Sequence, residues 1–333
     1  MTCTAEIIAD SVGPNGVRLT TFLLEYPRII HSEVMTHRMF SRNASSSRAI
    51  PFDIQVERIK NDMFVPIEFQ HRHNGMQGSG VFSGWRKKVC EALWVSAGHV
   101  AIKSAQALDK VGVSKQLCNR ILEPFSHIKV VVTATEWKNF FGLRNHPDAE
   151  IHIQELAKKI VEAYDANEPT VLQEGYLHLP FITEEDAAIY NSTTLIKMSV
   201  ARCARTSYYD NIGKNDVNND IKLYDRLVGS DPKHASPTEH QAIALSFSAR
   251  PNTESSSILA ILGKYPGAIS YLRYSKGEGG EFWSGNLRGW VQYRKMLPNE
   301  NLDDIVEEKE DIENTEDTED TEDAENTEDA KYF

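Results

Sequence analysis

Apolar positions recur along this chain with two periods. From Leu19 to Leu24 they form a short run closed by Pro27, which predicts a strand. Residues 29–41 place Ile30 and Val34 at helical spacing and predict a helix. Glu33, His37, Arg38 and Ser41 then fall on the same face as those two apolar residues. Polar groups that continue an inward apolar stripe are costly to bury unless something pairs with them. A bound anion or a flat polar cofactor would do so, and so would a helix end capped by its own Ser and Arg residues. Spacing alone leaves both open. Residues 87–110 carry Ala92, Leu93, Val95, Val100, Ala101 and Ala105 at helical spacing, and residues 128–133 read as a strand. Residues 151–165 predict an amphipathic helix with Ile153, Leu156, Ile160, Val161 and Tyr164 on one side, ended by Asn167-Glu168-Pro169. Ile243, Leu245 and Phe247 alternate as a half-buried strand would. Mixed strands and long helices predict an α/β (α+β) body with a mixed sheet.

Charge divides the chain. The whole carries a net −12, but residues 303–333 hold 16 acidic and 2 basic side chains, so the body 1–302 is close to neutral. Thr-Glu-Asp repeats at 315–317, 318–320, 321–323 and 327–329. Such a tract buries too little apolar area to offset its ordering entropy and is expected to be a disordered tail. Solubility is its plain role; contact with a basic partner is the sharper one. Within the body, residues 174–186 read as a seam between pseudo-halves of about 1–180 and 187–302. Each half has a Trp-containing polar stretch, at 137–144 and 286–293, and both read as helices, which hints at a diverged duplication.

Several function classes drop out. No run of about 18 apolar residues predicts a membrane span. Met-Thr-Cys-Thr-Ala-Glu lacks the basic start and apolar run of a secretory signal. Cys3, Cys90, Cys118 and Cys203 have no Cys-x-x-Cys spacing and read as reduced thiols of a cytoplasmic protein rather than zinc ligands. His71-Arg72-His73 has no nearby carboxylate and is a weak metal signal, so no metal is expected. Gly75 to Gly84 lacks the strand–turn–helix setting of a dinucleotide fingerprint and reads as a loop bordering the site.

The densest chemistry lies at residues 36–48. Thr36-His37-Arg38, seven residues, then Ser46 and Arg48 resembles the Arg-His-Arg signature of the flavin-dependent thymidylate synthases, the ThyX family. Ser41 and Asn43 also fall in place, whereas Thr36 replaces an Arg and Ala44 a Glu of that signature. Four further stretches resemble the same family: 113–124 with Arg120, 139–144 with Arg144, Ala204-Arg205-Thr206-Ser207-Tyr208, and His234-Ala235-Ser236-Pro237-Thr238-Glu239-His240. Asn286-Leu287-Arg288 adds a flavin-contact pattern. The Ser-Tyr and Pro-x-Glu-His stretches precede the signature in ordinary members and follow it here, as in a permuted or duplicated relative.

The resemblance implies a ThyX-like fold and reductive methylation of dUMP to dTMP. It implies FAD as cofactor, with NADPH and 5,10-methylenetetrahydrofolate as cosubstrates. Glu33, Ser46, Ser47, Arg48, Arg120 and Arg144 would bind dUMP, with Ser46 and Arg144 as the catalytic, polarising pair. His37, Arg38, Asn43, Asn139, Ser207, His234, Ser236, Glu239, Asn286 and Arg288 would bind FAD. No protein nucleophile is required when the cofactor carries the hard chemistry. A homo-oligomer, a tetramer or a dimer of pseudo-dimers, is implied, with no membrane or nucleic acid as partner. A hydroxymethylase of the same family and a non-catalytic ThyX-like binding protein are the alternatives.

Overall fold

The computed structural model describes residues 3–74, 80–208, 216–246, 283–298 and 300. Met1–Pro298 forms one compact unit. Strands β1 (Thr4–Val12) and β2 (Arg18–Pro27) make an antiparallel hairpin, with a register shift between Ile7 and Ala9. A single helical turn, α1 (His31–Val34), leads to the short strand β3 (Ser41–Ala44). Helices α2 (Phe52–Asn61), α3 (Gly84–Lys110) and α4 (Lys115–Ile121) then precede β4 (His127–Ala134). Next come α5 (Lys138–Arg144), α6 (Ile151–Ala166), β5 (Thr170–Val171) and β6 (Leu177–His178). The described remainder holds α7 (Glu184–Ile189), α8 (Ser192–Arg205), α9 (Val217–Val228), β7 (Ala242–Ala244), β8 (Trp283–Ser284), β9 (Leu287–Arg288) and β10 (Trp290–Gln292).

Five strands form one mixed sheet in the order β3-β4-β2-β1-β5, parallel only between β1 and β5. Its two faces differ in chemistry because the side-chain period of a strand is two. Phe22, Leu24 and Tyr26 of β2 stand opposite Val132, Val130 and Ile128 of β4. That face is covered by Ile153, Leu156, Ala157 and Ile160 of α6 and by Trp137 and Phe140. The alternate positions are polar: Thr21 faces Thr133, and Ser41 of β3 pairs with Thr133 from the other side. This second face supports the three-stranded sheet β10-β7-β6, where Val17 and Leu19 pack with Ala242, Ala244, Leu287 and Trp290.

The α/β body, the strands at 19–24 and 128–133, the long helix at 87–110 and the helix at 151–165 are present, each extended by one to a few residues. The helix expected over 29–41 is not. It ends after α1, where the Arg42 guanidinium binds the backbone carbonyls of Met35 and His37 at 2.9 and 3.3 Å and the chain turns into β3. The stretch 286–293 is two strands rather than a helix. Gly285 and Gly289 take φ of 60° and 69°, breaking any helix, and Trp290–Gln292 pairs with β7. Strand β7 is buried on both sides rather than half-buried, because Ala242 and Ala244 pack beneath Trp290. Phe247, residues 75–79 of the 75–84 loop and the tail 303–333 lie outside the described residues. The duplication is not confirmed: the large sheet is built wholly from residues 4–171, and the expected counterpart of α5 is strand. Among the described residues no helix is long and apolar enough to cross a membrane.

Phe22 is fully buried and meets Trp137 edge-on at 5.1 Å. Phe22→Ala is expected to lower stability by about 3–5 kcal/mol, read as a shifted midpoint in urea unfolding; a loss under 1 kcal/mol would show that this face does not hold the fold.

Candidate active site

Strand β3 gathers the distant segments. Ser41 is fully buried. Its hydroxyl lies 3.1 Å from Asn286 Oδ1 and 3.0 Å from Asn286 Nδ2, and the same Nδ2 donates to the Met39 carbonyl at 2.9 Å. Gln292 Nε2 reaches Ser41 Oγ, Asn286 Oδ1 at 2.8 Å and the Glu239 backbone carbonyl at 3.2 Å. Further along, the Ser46 amide donates to the Ser207 carbonyl at 3.0 Å. Segments near 207, 239 and 286 thus meet the strand that carries the signature. A buried hydroxyl and two amides are costly to leave unpaired, so each segment fixes the others. Ser207 is held in turn by ion pairs: Arg202 pairs with Asp186 and Asp220, and Arg205 with Asp220, locking α8 to α9.

A second group surrounds His37. Its ring stacks on Phe40 with centroids 5.7 Å apart and meets the edge of Phe140 at 4.9 Å. Arg144 Nε donates to His37 Nε2 at 3.0 Å, which puts the ring proton on Nδ1. The other guanidinium nitrogens reach Glu33 at 3.4 Å and Thr36 Oγ at 3.3 Å. Burial, then the charges of Arg144 and Arg42, hold the imidazole down to about 4. Burial and Glu150 push Glu33 above the usual carboxylate range against the pull of Arg144. Thr36 is therefore part of the arginine's setting. Ala44 packs against the apolar core on the other side of the strand, so the carboxylate of the signature would have no polar partner there.

A third group is anion-ready. The Ser47 hydroxyl binds Glu123, which pairs with Arg28 at 2.8 Å. Arg28 is lowered by burial and also feels the charge of Arg120. Asn119 Nδ2 ties the loop through the carbonyls of Ser47 and Ile50 at 2.9 and 3.0 Å. Ser46 Oγ accepts from the Arg48 amide at 3.2 Å, which leaves its O–H free to donate. The side chains of Arg48 and Arg120 are exposed and make no hydrogen bond or ion pair among the described residues.

The remaining expected residues divide. Arg288 is bound to Glu136 at 2.6 Å, and Glu239 to Arg294. Asn43 is buried on β3. Arg38, Asn139, His234 and Ser236 are exposed and outside these networks. Arg28, Glu123, Gln292, Thr21, Thr133, His178 and His240 are additions. Period-two hydroxyls at Thr21 and Thr133 were the signal for two of them, whereas nothing local marks Arg28. No group of three or more His, Cys, Asp or Glu among the described residues could hold a metal.

The folded His37 refuses a proton that the unfolded chain accepts near the ordinary value of 6.5. Its contribution to stability is therefore full above 6.5 and declines as pH falls toward 4. An NMR titration should give His37 a midpoint near 4, and Arg144→Met should raise it part of the way to 6.5. A wild-type midpoint near 6.5 would mean that the ring is neither buried nor held against Arg144.

Comparison with known proteins places part of this chain. Residues 18–170 match the family model Thy1, "Thymidylate synthase complementing protein". A solved UMP/dUMP methylase PolB from Streptomyces cacaoi, bound with 5-Br UMP, is 17% identical at a TM-score of 0.41, over 49% of this chain and 88% of that one. Thymidylate Synthase X (ThyX) from Helicobacter pylori, with FAD and dUMP, is 16% identical at a TM-score of 0.32, over 44% of this chain and 67% of that one. No curated protein matches the sequence. Residues 18–170, which hold the signature strand, Arg120 and Arg144, are thus similar to the Thy1 family.

Proposed function

We propose that the protein is a flavin-dependent thymidylate synthase that methylates dUMP with 5,10-methylenetetrahydrofolate and NADPH. The observation that carries this reading is the closure of segments 207, 239, 286 and 292 on the signature strand, which brings together stretches that lie far apart in the chain. Arg48 and Arg120, exposed and unpaired, suit a nucleotide phosphate through charge-assisted bonds. Ser46 donates its free O–H beside them. Arg144, ringed by Glu33, Thr36 and His37, would hold a uracil carbonyl and stabilise charge developing on the ring.

The exposed donors Arg38, Asn139, His234 and Ser236 fit the phosphates and polar ring edge of FAD, with Asn43, Ser207, Glu239, Asn286 and Arg288 behind them. When bound, FAD supplies the redox and one-carbon chemistry of the reaction. The protein's part is to bind, orient and polarise.

Trp85, Val89, Leu93 and Val100 stand exposed along one face of α3. A second copy would cover this apolar stripe, which supports a homo-oligomer. A cytoplasmic location, a catalytic body at 1–302 and a solubilising tail complete the reading. The hydroxymethylase reading rests on Thr36, which replaces a cationic arginine with a hydroxyl in contact with Arg144.

Purified protein should be yellow and oxidise NADPH when dUMP and methylenetetrahydrofolate are added. Mass measurement should then show a product heavier by one methylene; an added oxygen would select hydroxymethylation. Arg48→Ala should retain flavin but raise KM for dUMP about ten- to a hundredfold, and an unchanged KM would overturn the phosphate role. Colourless, inactive protein would select the non-catalytic reading. Removal of 303–333 should leave turnover unchanged, and its loss would give the tail a role in the site.

A further inference from the structure

The polar face of the large sheet holds a continuous chain of five side chains. Ser11 Oγ lies 2.9 Å from His178 Nδ1, and His178 Nε2 lies 2.8 Å from Thr21 Oγ1. Thr21 Oγ1 is 2.7 Å from Thr133 Oγ1, which is 2.8 Å from His240 Nδ1. All five residues are buried, none more than 6% exposed. The chain joins four segments that are distant in sequence, since the hairpin, β4 and the 178 and 240 segments each contribute.

Its ends differ. Ser11 lines a cleft of about 590 Å³ bounded by Ile8, Leu172, Tyr176, Ile182 and Leu195. At the other end His240 Nε2 is buried without a hydrogen-bond partner among the described residues. Native interiors rarely leave such an atom unpaired without a reason. His240 follows Glu239, whose carbonyl is tied through Gln292 to Ser41 on the signature strand.

We propose that Ser11–His178–Thr21–Thr133–His240 conducts protons between the cleft and the signature side of the sheet. Each member both donates and accepts, so the chain has two whole arrangements. In one, Ser11 donates to His178 Nδ1, His178 Nε2–H to Thr21, Thr21 to Thr133 and Thr133 to His240 Nδ1, and His240 carries its proton on Nε2. In the other, all four bonds are reversed, His240 Nε2 is a bare acceptor, and Ser11 donates into the cleft. When that bare nitrogen takes a proton, each N–H or O–H breaks as the next one forms, and Ser11 releases a proton to water. The chain ends in the first arrangement, one proton has crossed, and no electron has moved. Rotation of the hydroxyls and exchange at the imidazoles restores the second.

Burial holds both imidazoles to about 3, with Asp10 pulling His178 upward and His178 pushing His240 down. Both are thus neutral at working pH, which supplies the one-donor, one-acceptor state that a directed chain requires.

The test follows the ring proton of His240 in full-length protein labelled with ¹⁵N at histidine, with no nucleotide or flavin added, so that it stands or falls apart from the enzymatic reading. After transfer to D₂O, that buried proton should exchange at least about tenfold faster than the backbone amides of Thr21 and Thr133 beside it. Ser11→Ala at the cleft, and Thr133→Val in the middle, should each slow it about tenfold, and Thr133→Ser should restore it. A ring proton that exchanges no faster than those amides, or that keeps its rate in Ser11→Ala, would reduce the chain to a structural ladder and overturn the proposal. Should Thr133→Val fail to fold, Ser11→Ala and Thr133→Ser still decide it.

Discussion

The pairing of one polar sheet face by side chains from far along the sequence is the constraint on which the rest of the structure depends. Thr21, Thr133 and Ser41 bring hydroxyls into the interior of the sheet, and each must be matched. His178, His240, Asn286 and Gln292 match them. These four come from strand and turn segments that also bury Ala242, Ala244 and Trp290 against Leu19. Apolar burial supplies the bulk of the attraction, and the hydrogen bonds set the register. A slip by one residue would leave several buried polar atoms without partners.

That constraint explains why segments far apart in the chain meet on the signature strand. The signature strand needs a hydroxyl partner, a carbonyl partner and a cation-holding wall, and it takes them from whichever part of the chain delivers them. Ser207 lies in the turn just after α8, a helix held by the Arg202, Asp186, Asp220 and Arg205 ion pairs. Such a buried cluster is a poor source of stability but a sharp determinant of position. Here it sets where one edge of the site lies.

Much of the fold was legible because β2, β4, α3 and α6 have strong, simple periodicity. The apolar face of the sheet could be read from Phe22, Leu24, Val130 and Val132 alone. The stretch 29–41 misled because Ile30 and Val34 mimic a helical stripe, while the polar residues after them belong to a turn and an edge strand. The stretch 286–293 misled for a related reason: Trp290 and Val291 suit a helix or a buried strand equally, and only the left-handed glycines decide. At the site, the resemblance singled out Arg48, Arg120 and Arg144, and the fold leaves the first two exposed while the third meets Glu33, Thr36 and His37. It could not reveal that Ser47 is occupied by Glu123, or that Arg28 stands behind it, because neither contact has a local pattern.

The bond between Ser41 and Asn286 spans 245 positions. Strands β2, β3 and β4 can pair as soon as residue 134 is available, so the sheet can exist long before its polar face is covered. Thr21 and Thr133 gain His178 and His240 first, and the Ser41 hydroxyl waits for Asn286 and Gln292. Contacts of such separation form late, after their loop-closure entropy has been met. The signature strand is thus among the last parts of the sheet to be covered during synthesis, and a chain cut short before residue 286 would carry Ser41 without its Asn286 and Gln292 partners.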